Sequence, residues 1–167
     1  MVTKGLPPAS QRVIEAALAE GLQIDIVMFE QSTRTAADAA TAIGCEVGQI
    51  VKSLVFTVQD APVIALVSGS NQLDERKLAG LFQVGKKQVK RADADMVRAA
   101  TGYAIGGVPP FGHTNWLEVF VDEDLIRYQV VWAAAGTPNT VFAVAPDVLI
   151  RISNGQIADL KTIQDGQ

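Results

Sequence analysis

A glycine- and proline-rich segment, residues 102–113, has the composition best suited to chemistry. Three glycines and two prolines occupy the seven positions 106–112. Glycine permits positive φ and the close approach of a ligand, whereas proline fixes φ and removes a backbone donor. A stiff loop of this kind points its remaining N–H groups in defined directions, as the binding of a carbonyl oxygen requires. The same composition is also typical of a rigid turn that binds nothing.

Lys52 is the second candidate, at the start of the apolar strand pattern 51–58. A charged side chain there must point either to solvent or into a polar cleft. In a cleft it would bind a phosphate or carboxylate through a charge-assisted hydrogen bond worth ~1.5–3 kcal/mol. At an open strand edge it would be an ordinary solvated charge.

The chain has one histidine, His113, and one cysteine, Cys45. These counts exclude a disulfide framework, a cysteine-rich zinc site and a histidine-rich metal centre. His113 directly follows the glycine-rich loop, where it either reaches the mouth of the loop or stabilises the turn. Cys45 has no adjacent cation or histidine and is interpreted as a packing residue.

Composition and charge limit the class of protein. The 167 residues, 49% of them apolar, predict one domain with a large core, residues 1–167, and exclude a disordered protein. A net charge of −4 argues against a protein that coats DNA. A local basic segment either binds phosphates or is solvated surface, and comprises Lys86, Lys87, Lys90 and Arg91. No apolar run has the ~20 residues of a membrane span or the pattern of a signal peptide, so we expect a cytoplasmic protein with no membrane partner.

The elements that position these residues can be placed from periodicity and capping residues. Helices are predicted after Ser10, over 36–43, after Asp74, and from about 93 to 100. Strands are predicted near 24–29, over 51–58 and over 63–68, with a turn at 59–62, and a short strand is predicted in the basic segment. Later strands are predicted at 117–121, 128–133, 140–144 and near 157, and a short helix is predicted at Pro146. Trp116 and Trp132 are interpreted as core. We predict a single α+β domain whose curved, mixed, mostly antiparallel sheet is flanked by helices.

Four segments together make the chain resemble a known family. They are TAADAA at 35–40, QIVKSL at 49–54, LDERKL at 73–78 and TGYAIGGVPPFG at 101–112. Over about residues 24–160 the chain is similar to the YbaK/prolyl-tRNA synthetase-associated family of aminoacyl-tRNA deacylases. The signature is the lysine before the first long strand together with the G-x-x-P loop at 107–110.

The resemblance implies a curved mixed sheet and hydrolysis of the ester that joins a wrong amino acid to the 3′-terminal adenosine of tRNA. Lys52 would then contact a phosphate near that adenosine. The backbone of Gly106, Gly107 and Val108 would bind and polarise the aminoacyl carbonyl, and the substrate's own 2′-hydroxyl would activate the water. Further substrate contacts are expected from Pro109, Pro110, Ser68, His113, Thr137 and Asn139.

Two positions depart from the family pattern. Thr137 or Asn139 stands where members often carry Asp or His, and Met28-Phe29-Glu30 stands where a Tyr or His is common. We expect a trans-editing enzyme for a small amino acid such as Ala, Ser or Cys, because steric exclusion in a second site supplies selectivity that binding alone cannot. This enzyme is expected to need no metal and no organic cofactor. Its partners would be the acceptor end of aminoacyl-tRNA and, as a candidate, an aminoacyl-tRNA synthetase. The alternative is a non-catalytic relative that binds a nucleotide, small ligand or protein in the same cleft.

Overall fold

The computed structural model describes residues 5–30, 33 and 35–163. The helices in this part of the chain are α1 Pro8–Ala19, α2 Ala36–Ile43, α3 Glu75–Leu81, α4 Ala94–Thr101 and α5 Pro146–Ser153. The strands are β1 Ile26–Met28, β2 Val51–Val58, β3 Ala61–Ser68, β4 Val89–Arg91, β5 Glu118–Asp122, β6 Val131–Ala134, β7 Thr140–Val144 and β8 Gln156–Ala158. Short 3₁₀ turns lie at Val47–Gln49, Lys86–Gln88 and Glu123–Arg127.

The strands form a five-stranded sheet in the order β4-β2-β3-β5-β8 and a three-stranded sheet in the order β1-β7-β6. Two pairs, β3 with β5 and β5 with β8, are parallel, and the other pairs are antiparallel. An isolated bridge between Ile50 and Trp132 joins the edges of the two sheets. The α+β class with a mixed, mostly antiparallel arrangement was predicted correctly, but the strands divide into two hydrogen-bonded sheets.

A tight hairpin joins β2 to β3. Val58 pairs with Ala61, so the loop consists of Gln59 and Asp60, both with positive φ (50° and 68°). Two successive positive φ angles match the right-handed twist of the flanking strands. The predicted turn at 59–62 is therefore two residues shorter in the structure, and the register sets Lys52 opposite Val67.

Both faces of the five-stranded sheet are covered. Ile64 and Leu66 on one face are fully buried in the main core, which includes residues of α1, α4 and α5. Ala65 and Val67 point to the other face and pack with Leu78 of α3. Strands buried on both faces read as continuous apolar runs, which is why β3 shows no alternation in sequence.

Three of the four helices predicted before residue 101 begin directly after a capping side chain. Thr35, Asp74 and Asp93 each accept a hydrogen bond from a backbone N–H in the first turn of α2, α3 and α4. The prediction for Ser10 was wrong, because α1 begins two residues earlier, at Pro8, a residue favoured in a first helical turn. Ser10 is instead buried inside the helix and donates to Thr140 Oγ1 at 3.1 Å.

The two tryptophans do not share the predicted core environment. Trp116 is 80% exposed, so its assignment to the core was wrong. The two residues before it are hydrogen-bonded to the end of α4: the Thr114 N–H donates to Thr101 O, and the Asn115 side-chain amide donates to Ala100 O. The indole of Trp116 is left exposed to solvent. Trp132 is half-buried beside α2, in the small apolar cluster that also contains Cys45.

Among the described residues, no helix is both long and apolar enough to cross a bilayer.

Candidate active site

A cleft of about 610 Å³ opens along the first half of β2. β4 pairs only with Phe56–Val58, so the edge of β2 at residues 51–54 is not covered by a strand on that side. The walls come from α2, from β6 and β7, and from the loop 105–108. The cleft therefore lies where the two sheets diverge.

Lys52 lines this cleft and is half-buried. Its ammonium group donates a hydrogen bond to the main-chain carbonyl of Asn71. Burial lowers the pKa of Lys52 below the ordinary value for lysine, the positive charge of Arg91 lowers it further, and Asp122 opposes both effects. Lys52 is therefore not a fully solvated charge at an open strand edge, since its side chain is half-buried and hydrogen-bonded.

Asn71 links Lys52 to a carboxylate pair behind the cleft. Its side-chain amide donates to Asp122 Oδ2 and to Asp124 Oδ2, both at 2.8 Å. Asp124 also accepts from Lys161 Nζ at 2.9 Å. The hydrogen bonds from Asn71 and Lys161 lower the pKa of Asp124. Sequence reasoning missed this network, because its members lie far apart along the chain and belong to no motif.

Arg91 is a second cation on the cleft wall. It is exposed, and its guanidinium carbon lies 6.0 Å from the centroid of the Phe56 ring. Lys52 and Arg91 are the charged side chains among the described residues that line the cleft, and no carboxylate lines it. Two cations without a lining carboxylate favour an anionic ligand such as a phosphate. The other three basic residues of the segment, Lys86, Lys87 and Lys90, are exposed outside the cleft.

The loop 105–108 forms part of the wall of the cleft. Gly106 adopts φ of +88°, a conformation that favours glycine, and lines the cleft together with Val108. Neither the Gly106 N–H nor the Val108 N–H donates to an acceptor among the described residues. A stiff loop presenting two free N–H groups is the arrangement expected for a carbonyl or oxyanion ligand.

Gly107 holds this loop against the loop at 136–138. Its carbonyl accepts from the Gly136 N–H at 2.9 Å, and a Cβ at Gly107 would lie 2.6 Å from Gly136 O. Any larger residue would push the two loops apart. Gly107 itself does not line the cleft, so its contribution is the position of Gly106 and Val108.

Four of the other predicted site residues lie behind the cleft surface. Pro109 and Pro110 are buried below the loop. His113 Nε2 lies 2.7 Å from Pro109 O and donates to it, closing the turn, and burial lowers the pKa of the imidazole. Ser68 is fully buried, where its hydroxyl donates to Gly48 O at 2.7 Å. These residues therefore support the walls of the cleft from behind.

The side chains of Thr137 and Asn139 are hydrogen-bonded to each other beside the cleft. Thr137 Oγ1 donates to Asn139 Oδ1 at 2.8 Å, and the Asn139 amide donates to Phe29 O at 3.0 Å. Between them, Pro138 is the residue that lines the cleft. The two polar side chains thus join the 136–140 loop to the end of β1.

In residues 5–30, 33 and 35–163, no group of three or more His, Cys, Asp or Glu side chains is placed to hold a metal ion. The chemistry available in the cleft is that of two cations, backbone N–H groups, and hydroxyls of serine and threonine.

Known proteins share both the sequence pattern and the fold. A solved structure, provisionally described as a trans-editing enzyme for prolyl tRNA synthetase, superposes with a TM-score of 0.90 at 44% identity, covering 95% of this chain and 100% of that one. A protein of Enterococcus faecalis, provisionally named a Cys-tRNA(Pro)/Cys-tRNA(Cys) deacylase, is 32% identical over 129 residues, 77% of each chain. A proline–tRNA ligase of Thermoanaerobacter is 28% identical over 98 residues, 59% of this chain and 17% of the ligase.

Residues 30–152 match the family model for the aminoacyl-tRNA editing domain. The match spans α2, the β2–β3 hairpin and the loop 105–108, and it includes the residues that line the cleft. The chain therefore belongs to the family of aminoacyl-tRNA editing domains.

Proposed function

We propose that the cleft hydrolyses the ester of a mischarged tRNA that carries a small amino acid such as Ala, Ser or Cys. The observation that carries the proposal is that one cavity is lined by Lys52 and by Gly106 and Val108, whose N–H groups donate to no acceptor among the described residues. The ammonium group of Lys52 suits the phosphate of the terminal nucleotide, and the N–H groups of Gly106 and Val108 suit the aminoacyl carbonyl. One cavity would then hold both parts of one substrate.

The proposed reaction needs positioning and electrostatics more than side-chain acids or bases. Lys52, with Arg91 nearby, binds the phosphate and fixes the acceptor end in the cleft. The carbonyl oxygen accepts hydrogen bonds from Gly106 and Val108 and gains negative charge as water attacks. A preorganised donor of this kind contributes about 10²–10³ in rate, and orientation of the ester supplies a further share.

The walls of the cleft favour an amino acid without a charged side chain. Ala36, Val47, Ile50 and Trp132 form an apolar surface beside α2. The relative from Enterococcus faecalis carries a name that specifies Cys-tRNA, and cysteine is a small side chain. An apolar wall with no carboxylate disfavours a basic side chain, because burying an unpaired charge is costly.

Deacylation of a panel of Ala-, Ser-, Cys- and Pro-tRNA tests the proposal. We expect the wild type to hydrolyse one mischarged species selectively, and Lys52→Ala to lower kcat/KM about 10- to 100-fold by removing one charge-assisted hydrogen bond. Lys87→Ala is the matched control, since this lysine is exposed and does not line the cleft. Wild-type rates in Lys52→Ala across a range of tRNA concentrations would refute the role of Lys52.

A second readout separates an enzyme from a binding module. A non-hydrolysable amide analogue of aminoacyl-adenosine should raise the Tm, because a ligand of the native state stabilises it. A Tm increase in a protein that hydrolyses none of the four esters would favour the non-catalytic relative.

A synthetase as delivery partner stays a prediction, supported by the similarity to part of a proline–tRNA ligase. The cytoplasmic location likewise stays a prediction from the sequence.

A further inference from the structure

The hydroxyl of Ser53 is buried and unpartnered. Of the buried side-chain oxygen and nitrogen atoms in the described residues, Ser53 Oγ is the one that makes no hydrogen bond. Buried hydroxyls are almost always hydrogen-bonded, and one without a protein partner requires an explanation such as a bound water or ligand.

The position of Ser53 on β2 makes the hydroxyl more unusual. Val51 and Val55, two residues away on either side, share its face of the strand and are each 5% exposed within the main core. A valine or alanine at position 53 would continue this face without an unsatisfied group. A serine there costs stability unless its hydroxyl is used.

A small space has Ser53 in its wall. Its volume is about 30 Å³, and its walls include Ser53, Val55, Gly106 and Val108. Ser53, Gly106 and Val108 also line the large cleft, so the two spaces meet at the glycine-rich loop. About 10–15 Å³ is enough to hold one water molecule that has polar partners.

We infer that Ser53 binds the attacking water and holds it beside the carbonyl carbon. The inference rests on the proposed function, because it places the water next to a carbonyl bound by Gly106 and Val108. The water oxygen forms a bond to the carbonyl carbon, and the bond from that carbon to the ribose oxygen breaks. The proton of the water goes to the departing ribose oxygen, and Ser53 stays neutral throughout.

The surroundings of Ser53 disfavour a role as the nucleophile itself. A nucleophilic serine needs a general base within hydrogen-bond reach. The sole histidine of the chain, His113, donates to Pro109 O and does not line either space. Lys52 donates to Asn71 O, and Ser53 makes no hydrogen bond to it. The role that remains for the Ser53 hydroxyl is to bind a water molecule, as a hydrogen-bond donor or acceptor.

Steady-state deacylation by Ser53→Ala and Ser53→Thr tests the role in the reaction. We expect Ser53→Ala to lower kcat about 10- to 100-fold with KM within twofold, and Ser53→Thr, which keeps the hydroxyl, to recover most of the rate. The unfolding midpoint of Ser53→Ala should change little, because the hydroxyl makes no hydrogen bond to another group of the protein. Thr57→Ala is the matched control on the same strand, outside both spaces.

High-resolution crystal structures of the ligand-free wild type and Ser53→Ala test the binding of water directly. We expect a water within hydrogen-bond distance of Ser53 Oγ in the wild type and none there in the variant. A wild type without that water, or an active Ser53→Ala with unchanged kcat, would overturn the inference while leaving the proposed function intact. A wild type that hydrolyses no ester would overturn the proposed function, and the role of Ser53 with it.

Discussion

The ammonium group of Lys52 donates to the main-chain carbonyl of Asn71, while the Asn71 side chain bridges Asp122 and Asp124. Asn71 thereby connects a cation in the cleft to two carboxylates behind it. The amide separates these two negative charges, and Lys161 neutralises part of the charge on Asp124. The position of Lys52 consequently depends on a residue outside the cleft surface.

Asn71→Ala is expected to destabilise the protein by about 1.5–3 kcal/mol, the range for a lost hydrogen bond to a charged group. The backbone acceptor of Lys52 survives this change, but the segment that carries it loses its anchors, so KM should rise more than kcat falls. Urea unfolding and steady-state deacylation measure the two effects. Gln72→Ala, an exposed neighbour, should change neither quantity, and an equal effect in both variants would contradict the prediction.

The pH dependence of kcat/KM should report the charge of Lys52. Burial and the nearby Arg91 lower the pKa of Lys52, so the ammonium loses its proton at a lower pH than an ordinary lysine. Phosphate binding requires the protonated form, and kcat/KM should therefore decline on the alkaline side earlier than for a solvated lysine. Lys52→Arg keeps its charge and should remove the decline. Rates are corrected for spontaneous ester hydrolysis, and identical profiles for the two proteins would refute the assignment.

Gly107→Ala should abolish most of the activity. The added Cβ would lie 2.6 Å from Gly136 O and 2.7 Å from Thr137 Cα, so the loop that carries Gly106 and Val108 must move. A displacement near 1 Å at a reacting centre can cost about 10²-fold in rate.

Gly80→Ala provides the matched control for Gly107→Ala. A Cβ at Gly80 meets no atom within 4 Å, and the residue lies exposed in α3. This variant should be fully active and more stable by about 0.5–1 kcal/mol, because alanine favours the helix. Deacylation rates and thermal unfolding of both proteins provide the test, and a fully active Gly107→Ala would contradict the prediction.

Stability should fall on mild acidification because of His113. Burial lowers the pKa of this imidazole in the folded protein, so the unfolded chain takes up a proton at a higher pH than the folded one. The free energy of unfolding is then greatest above the ordinary histidine pKa of about 6.5 and decreases as the pH falls through that value. The pKa of Asp124 is lowered from an ordinary value of 3.8, so that carboxyl titrates below this window.

Urea unfolding at about pH 7.5 and pH 5.5 measures this slope. His113→Gln keeps a donor for Pro109 O but cannot titrate, so the slope should be absent in the variant. A slope of equal size in wild type and variant would exclude His113 as its source.

The sequence by itself determined the class of the fold and the class of the enzyme. Local patterns carried the first: capping residues placed three helix starts, and the apolar runs of β2 and β3 placed the central hairpin. Lys52 and the glycine-rich loop indicated the class of the enzyme, because they are the signature of the family that the chain resembles. An aminoacyl-tRNA deacylase was expected from them, and the comparisons confirm this.

Tertiary structure decided which residues share the cleft. Ser53 and Asn71 acquire their significance from neighbours that are distant in sequence, and no local period signals them. Of the four basic residues in the segment 86–91, Arg91 is the one that lines the cleft. Ser68 and His113 looked equally available in sequence, yet packing turns both behind the cleft surface. Periodicity and capping report on a few neighbouring residues, whereas burial and charge at a site are sums over the whole fold. The identity of the elements is therefore readable from the chain, and the environment of each side chain is set only when the two sheets meet.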